Sequence, residues 1–147
     1  MLTAIAVIVA VAISLTGAEL LRLRMRWIAW TRRGETLEVF ERHCASRGYS
    51  VEVARAAYLH LQRCAGVRGF PVRPNDSLAQ IYGLEWEDVA DLLCLVALTA
   101  RCEDVTDERA RSLGPVLTVD DTVRVLTPLY GSWRATRARA AAATRRP

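Results

Sequence analysis

Several things are scarce or missing in this chain, and each absence excludes something. Lysine does not occur: all 20 basic residues are arginine, a usage that fits GC-rich coding together with the high alanine content. Histidine occurs twice, at His43 and His60, and neither sits in a recognisable nucleophile or metal motif, which argues against catalysis by the chain itself. The four cysteines, Cys44, Cys64, Cys94 and Cys102, show no CxxC spacing. His60 and Cys64 lie four apart and His43 adjoins Cys44, but a zinc site would need these pairs to converge, which the spacing does not specify. The cysteines are therefore expected to be reduced thiols acting as small apolar fillers of a helical core, with no metal. Internal repeats are absent, so a stacked-repeat architecture is excluded.

Charge is missing from one long stretch. Leu2 to Ala18 is an uncharged run of 17 residues, and Leu20, Leu21 and Leu23 extend its apolar character. The extended run reaches the roughly 17–25 residues that cross a bilayer. Arginines follow the run at Arg22, Arg24, Arg26, Arg32 and Arg33 and none precedes it, which favours a membrane anchor over a cleaved signal peptide. By the positive-inside rule those arginines hold the C-terminal side in the cytoplasm. Trp27 and Trp30 fall where an interfacial aromatic belt belongs, so Arg22, Arg24, Arg26, Trp27 and Trp30 are the expected membrane-interface residues. The expectation is a single-pass protein of the cytoplasmic membrane with a cytoplasmic C-terminal body.

What is present is an acidic module between basic ends. From Pro74 to Asp121 there are 11 acids against 3 arginines, a charge of −8; the remainder carries 17 arginines and 5 acids, +12, giving the net +4. Anionic lipid is the simplest partner for the basic segments. Nucleic acid is disfavoured, because the body is acidic and the arginine-rich tail lacks interleaved aromatics.

Periodicity predicts an all-α body. Leu37, Phe40 and Cys44 are spaced for a short connecting helix within 34–49, closed by Gly48. Ser50 is placed to cap a second helix with Val51, Ala54, Tyr58, Leu61 and Ala65 on one face. An extended loop with Phe70 and Val72 as anchors leads to Asn75 or Asp76, a cap for a short helix ending at Gly83. The next helix starts near Glu85 and runs to about Arg101, burying Val89, Leu92, Leu93, Val96 and Ala100 while Glu87, Asp88 and Asp91 face outward. Thr106 caps a brief helix, and Thr118 with Asp121 has capping-box spacing ahead of Val119, Val123 and Leu126. Pro128 is expected to end or kink that helix, and 132–147 to be a basic disordered tail.

From Ser50 to Tyr130 this order of elements resembles an acyl carrier protein. Gly83 stands where carriers have the glycine before the attachment serine, and Pro74 falls in the equivalent long loop. Glu85 and Asp88 match the flanking acids. Val105-Thr106-Asp107-Glu108 is similar to the I-P-D-E that opens the third helix, and Leu117 to Val125 to the start of the fourth. The resemblance implies a four-helix bundle over 50–131, following an anchor and basic segment over 1–33. It also implies that the acidic second helix docks a partner with a basic surface.

The departure bears on chemistry. In this register the D-S-L string of carriers is replaced by Glu85-Trp86-Glu87, and an indole has no oxygen to hold 4'-phosphopantetheine. The implied function is a membrane-tethered, non-catalytic binding or scaffold module without prosthetic group, its partner-binding residues being Glu85, Trp86, Glu87, Asp88 and Asp91. The alternative is a true carrier modified at Ser77, in the literal Asp76-Ser77-Leu78. That choice would place Gly83 inside the second helix at a cost of about 1 kcal/mol. Trp86 itself has two readings, a recognition residue or a cover folded back on the Phe70–Pro74 loop, of which recognition is preferred.

Overall fold

The computed structural model describes residues 19–102 and 105–143. Leu2 to Ala18, the bulk of the expected membrane span, lies outside the described residues. Among the described residues no helix is long and apolar enough to cross a membrane. The described chain is all-α: α1 (19–31), α2 (Leu37–Ser46), α3 (Val51–Cys64), α4 (Leu78–Tyr82), α5 (Trp86–Thr99), α6 (Asp107–Ser112) and α7 (Val119–Ala143). The single β-type pairing among these residues is an isolated antiparallel bridge, Ser77 to Thr118.

The helices begin where side chains can satisfy the free amides of a first turn. Thr36, Ser50, Ser77 and Thr106 each accept a hydrogen bond from the backbone three residues on. Thr118 and Asp121 form the reciprocal box that their spacing predicts: Asp121 N–H donates to Thr118 Oγ1 at 3.2 Å and Thr118 N–H to Asp121 Oδ2 at 3.1 Å. One assignment shifts. Ser77, not Asn75 or Asp76, is the N-cap of α4, which frees Asp76 for a different role.

α3 is the central element and packs against α2, α5 and α7, while α5 also packs on α6 and α7. This position explains why α3 buries Val53, Ala54, Ala56, Ala57, Tyr58 and Leu61, a wider face than one stripe. Its alanines let neighbouring helices approach closely. Phe70 and Val72 close one end of the core as the loop anchors expected of them.

Two boundaries read from the sequence fall inside this core. Phe40 and Cys44 of α2 are buried with α3, the Phe40 and Tyr58 rings lying 5.4 Å apart, so the helix within 34–49 is core and not connector. Met25 and Ile28 of α1 join the same cluster, so the basic segment before residue 33 packs on the body as well. A pattern of one or two apolar residues per turn looks the same whether the helix covers a core or links two parts.

The tail also differs from expectation. α7 continues through Pro128 to Ala143, where 132–147 was expected to be disordered; residues 144–147 lie outside the described residues. Proline removes one amide donor but sits here in an otherwise anchored helix, with Val119, Val123 and Leu126 buried before it. Once nucleated, a helix extends cheaply through alanine and arginine, the residues of highest helix propensity. Stacking adds to this: Tyr130 and Trp133 rings lie 6.2 Å apart, and Arg134 and Arg137 lie over them.

Cysteine placement is mixed. Cys44 is a core filler, whereas Cys64 is exposed and Cys94 and Cys102 are half-buried. Burial, then the nearby Asp120 carboxylate, pushes the Cys44 thiol up to about 11. His60 Nε2 is 2.8 Å from Thr99 Oγ1, tying α3 to α5. Among the described residues no three His, Cys, Asp or Glu side chains gather as a metal site would require.

Candidate functional site

The site is built on the start of α5, and the chain enters it through a sharply defined turn. Gly83 takes the left-handed conformation, φ 68°, at the end of α4, which a side chain would strain. Its N–H donates to Ala79 O at 3.0 Å, the bond of an αL closure, and Leu84 N–H donates to Leu78 O at 3.1 Å. Glu85 then caps α5 from an extended conformation, and its N–H donates to Asp88 Oδ2 at 2.9 Å. Asp88 is thereby held in the first turn, where the positive end of the helix favours a carboxylate.

Glu85, Trp86, Glu87, Asp88 and Asp91 are all exposed, on one continuous stretch of α5. Behind them Val89, Leu92, Leu93 and Val96 are buried. The acids form a fixed negative patch on a rigid support, with no arginine paired to it among the described residues. Trp86 occupies the first position of α5 and is 48% exposed. The Phe70 ring of the preceding loop is met edge-on by Tyr82 at 6.0 Å, and the Arg32 guanidinium lies 5.7 Å from its centre.

Two residues of this face escaped the sequence reading. Leu95 and Leu98 are exposed, at 49% and 75%. At about 100° per residue they fall on the same side of α5 as Asp91, so the signal was available in the periodicity. The outer face of α5 is therefore acidic in its first half and apolar in its second.

Ser77 lies in a different setting. Its Oγ accepts from Gln80 N–H at 3.2 Å as the cap of the five-residue α4, and its backbone is bridged to Thr118. Leu78 N–H donates to Leu117 O at 2.9 Å and Val119 N–H to Asp76 O at 3.1 Å, fastening both sides of this serine to the start of α7.

Asp76 is the residue whose importance the sequence concealed. Only 4% of its side chain is exposed, and it accepts from Arg32 Nη1 at 2.7 Å and Nη2 at 2.8 Å in a bidentate pair. Arg73 N–H at 3.0 Å and the Tyr82 hydroxyl at 3.1 Å complete its shell. Burial, then the Asp76 carboxylate, holds the Tyr82 phenol far above its ordinary range, so Tyr82 remains a donor. A partner 44 residues away in sequence leaves no local signal. This pair fastens the end of α1 to the loop that leads into the site, and Arg73 with Glu35 makes a second, more exposed clamp beside it.

Of the expected interface residues on α1, Arg22, Arg24, Arg26, Trp27 and Trp30 are all exposed. Arg24 also reaches back, donating to Gln80 O at 3.2 Å. A cleft of about 450 Å³ separates α1 from α4 and the end of α3, lined in part by Met25, Cys64, Ile81 and Tyr82. The patch on α5 presents carboxylates and an indole to solvent.

Comparison of the chain with models of protein families, with curated proteins and with solved structures finds no match.

Proposed function

We propose that this chain is a membrane-tethered, acyl-carrier-like module that binds a partner protein and carries no prosthetic group. The reading is carried by one observation: Trp86 stands exposed at the head of α5, in a fixed frame of carboxylates, at the position that the resemblance aligns with a carrier's serine. The packing of α3 against α5 and α7, with a short α6 on α5, supports the carrier-like arrangement of four helices. The partner surface is basic, because only arginine or lysine compensates Glu85, Glu87, Asp88 and Asp91 brought close together. Trp86 would supply the apolar anchor of that contact, as tryptophan does at many interface hot spots. The module is non-catalytic. The uncharged run Leu2 to Ala18 tethers it to the cytoplasmic membrane, with the arginines and the C-terminal body on the cytoplasmic side.

The competing reading is a carrier modified at Ser77. Against it stand the engagement of the Ser77 hydroxyl as a helix cap and the burial of Asp76 in an ion pair. A carrier's serine must be free to enter a transferase.

Two measurements test the proposal. Intact mass after co-expression with a phosphopantetheinyl transferase is expected to be unchanged; a gain in mass lost in Ser77→Ala would restore the carrier. A photo-cross-linker placed at position 86 in native membranes is expected to give an adduct that disappears with Glu87→Lys and Asp91→Lys. An adduct indifferent to both charge reversals would rule out docking through the acidic face.

A further inference from the structure

The two sides of α1 are chemically different, and only one is used by the fold. Met25 and Ile28 are buried at 4% and 8%, and Arg32 just beyond them is locked to Asp76. Leu20, Leu23, Trp27 and Trp30 are instead between 58% and 66% exposed. At about 100° per residue these four lie within an arc of about 80°, centred about 180° from Met25 and about 120° from Ile28. Arg22 and Arg26 border one side of this stripe and Arg24 the other. Arg33 lies 5.6 Å over the Trp30 ring. Arg22 pairs with the exposed Glu19, while Arg26 and Arg33 make no ion pair among the described residues. A row of leucine and tryptophan this exposed needs cover.

We infer that the outer face of α1 lies along the surface of an anionic lipid bilayer and holds the whole body against it as one rigid unit. The inference rests on the tethered reading above and adds an orientation to it. Tryptophan places an apolar ring and a polar N–H at the head-group level, and arginines on both flanks meet lipid phosphates. Length decides between an upright and a flat helix. From Leu20 to Trp30 the helix rises about 15 Å. The head-group layer on one side of a bilayer is only about 5–7 Å thick, so an upright α1 would lift Trp30 into water. Lying flat, all four side chains reach the same depth.

Because the opposite side of α1 is packed into the core and pinned by Arg32 to Asp76, the body cannot swing freely. The acidic face of α5 is then presented at a constant height and angle to partners on the same membrane.

The experiment uses the full chain in phosphatidylcholine–phosphatidylglycerol vesicles. Single-tryptophan variants keep Trp27, Trp30, Trp86 or Trp133 and carry phenylalanine at the other three. Quenching by lipids brominated at known depths is read alongside extraction with alkaline carbonate. The expected result is equal, strong quenching of Trp27 and Trp30 at a shallow depth, with little at Trp86 or Trp133. Arg26→Glu with Arg33→Glu, both exposed changes, should reduce quenching at Trp27 and Trp30 to the Trp86 level. Quenching of Trp27 without Trp30 would mean an upright helix and overturns the inference, as would quenching no greater than that of Trp86. Carbonate separates the two layers of reading. Resistance to extraction without quenching keeps the tether and rejects the flat α1. Quenching in a protein that carbonate strips off keeps the flat α1 and rejects the spanning tether. No association with vesicles at all rejects both.

Discussion

Replacing Asp76 by alanine removes the acceptor for four hydrogen bonds at once, two from Arg32 and one each from the Arg73 amide and the Tyr82 hydroxyl. The Arg32 side chain is only 10% exposed, so water cannot readily take the place of the lost carboxylate. Its remaining partners, the Pro71 carbonyl at 3.2 Å and the Phe70 ring, do not neutralise the charge. Breaking a buried pair on one side costs about 3–5 kcal/mol, a large part of the roughly 5–15 kcal/mol that holds a domain folded. Urea unfolding of the full chain in a mild nonionic detergent, followed by far-ultraviolet circular dichroism, measures it. Glu19→Ala is the control, since the Glu19–Arg22 pair is exposed and such pairs contribute about 0–1 kcal/mol. Removing both charges in Asp76→Leu with Arg32→Met should recover much of the loss, because the stranded guanidinium is gone. If Asp76→Ala costs no more than Glu19→Ala, the pair is not what fastens α1 to the body.

Trp86→Ser should leave the fold intact and cost less than about 1 kcal/mol, since the indole is about half exposed at the head of α5 and the buried stripe is untouched; a loss of about 2–4 kcal/mol in the same urea assay would assign it a packing role. Asp121→Ala removes the carboxylate that accepts from the Leu117 and Thr118 amides, with an expected loss of about 1 kcal/mol at neutral pH. Partial burial works against the charged form of Asp121, but Arg124, Thr118 and the two amides outweigh it and hold its pKa below the ordinary 3.8. A depressed carboxylate contributes stability above its unfolded pKa and loses it as pH falls through the folded one, so wild type and Asp121→Ala should converge below about pH 4. In a thiol titration of the folded protein at pH 8, Cys64 should react first and Cys44 only after unfolding, because burial keeps the Cys44 thiol protonated. Rapid labelling of Cys44 would show that α2 opens from α3.

The all-α class, the caps at Ser50, Thr106 and Thr118, the left-handed stop at Gly83 and the buried stripe of α5 were legible in the sequence. All depend on residues within about four positions of one another, where backbone geometry, capping and helical period act directly. The acidic outer face of α5 was legible for the same reason, and so was the absence of a nucleophile at position 86. Helix ends without glycine were harder to place. α5 stops at Thr99 because Arg101 adopts the left-handed conformation, φ 55°, that glycine usually supplies, and no residue type announces it.

Only the tertiary structure decided which faces are covered by other parts of the chain. Asp76 reads locally as a turn residue, and its pairing with Arg32 exists because the fold brings the end of α1 to the loop before α4. α1 and α2 carry helical patterns that fit connector or core equally well, and burial of Met25, Ile28, Phe40 and Cys44 settles it for the body. That same packing turns Leu20, Leu23, Trp27 and Trp30 outward. Periodicity defines the two sides of a helix from its own residues, but which side meets protein depends on surfaces distant in sequence.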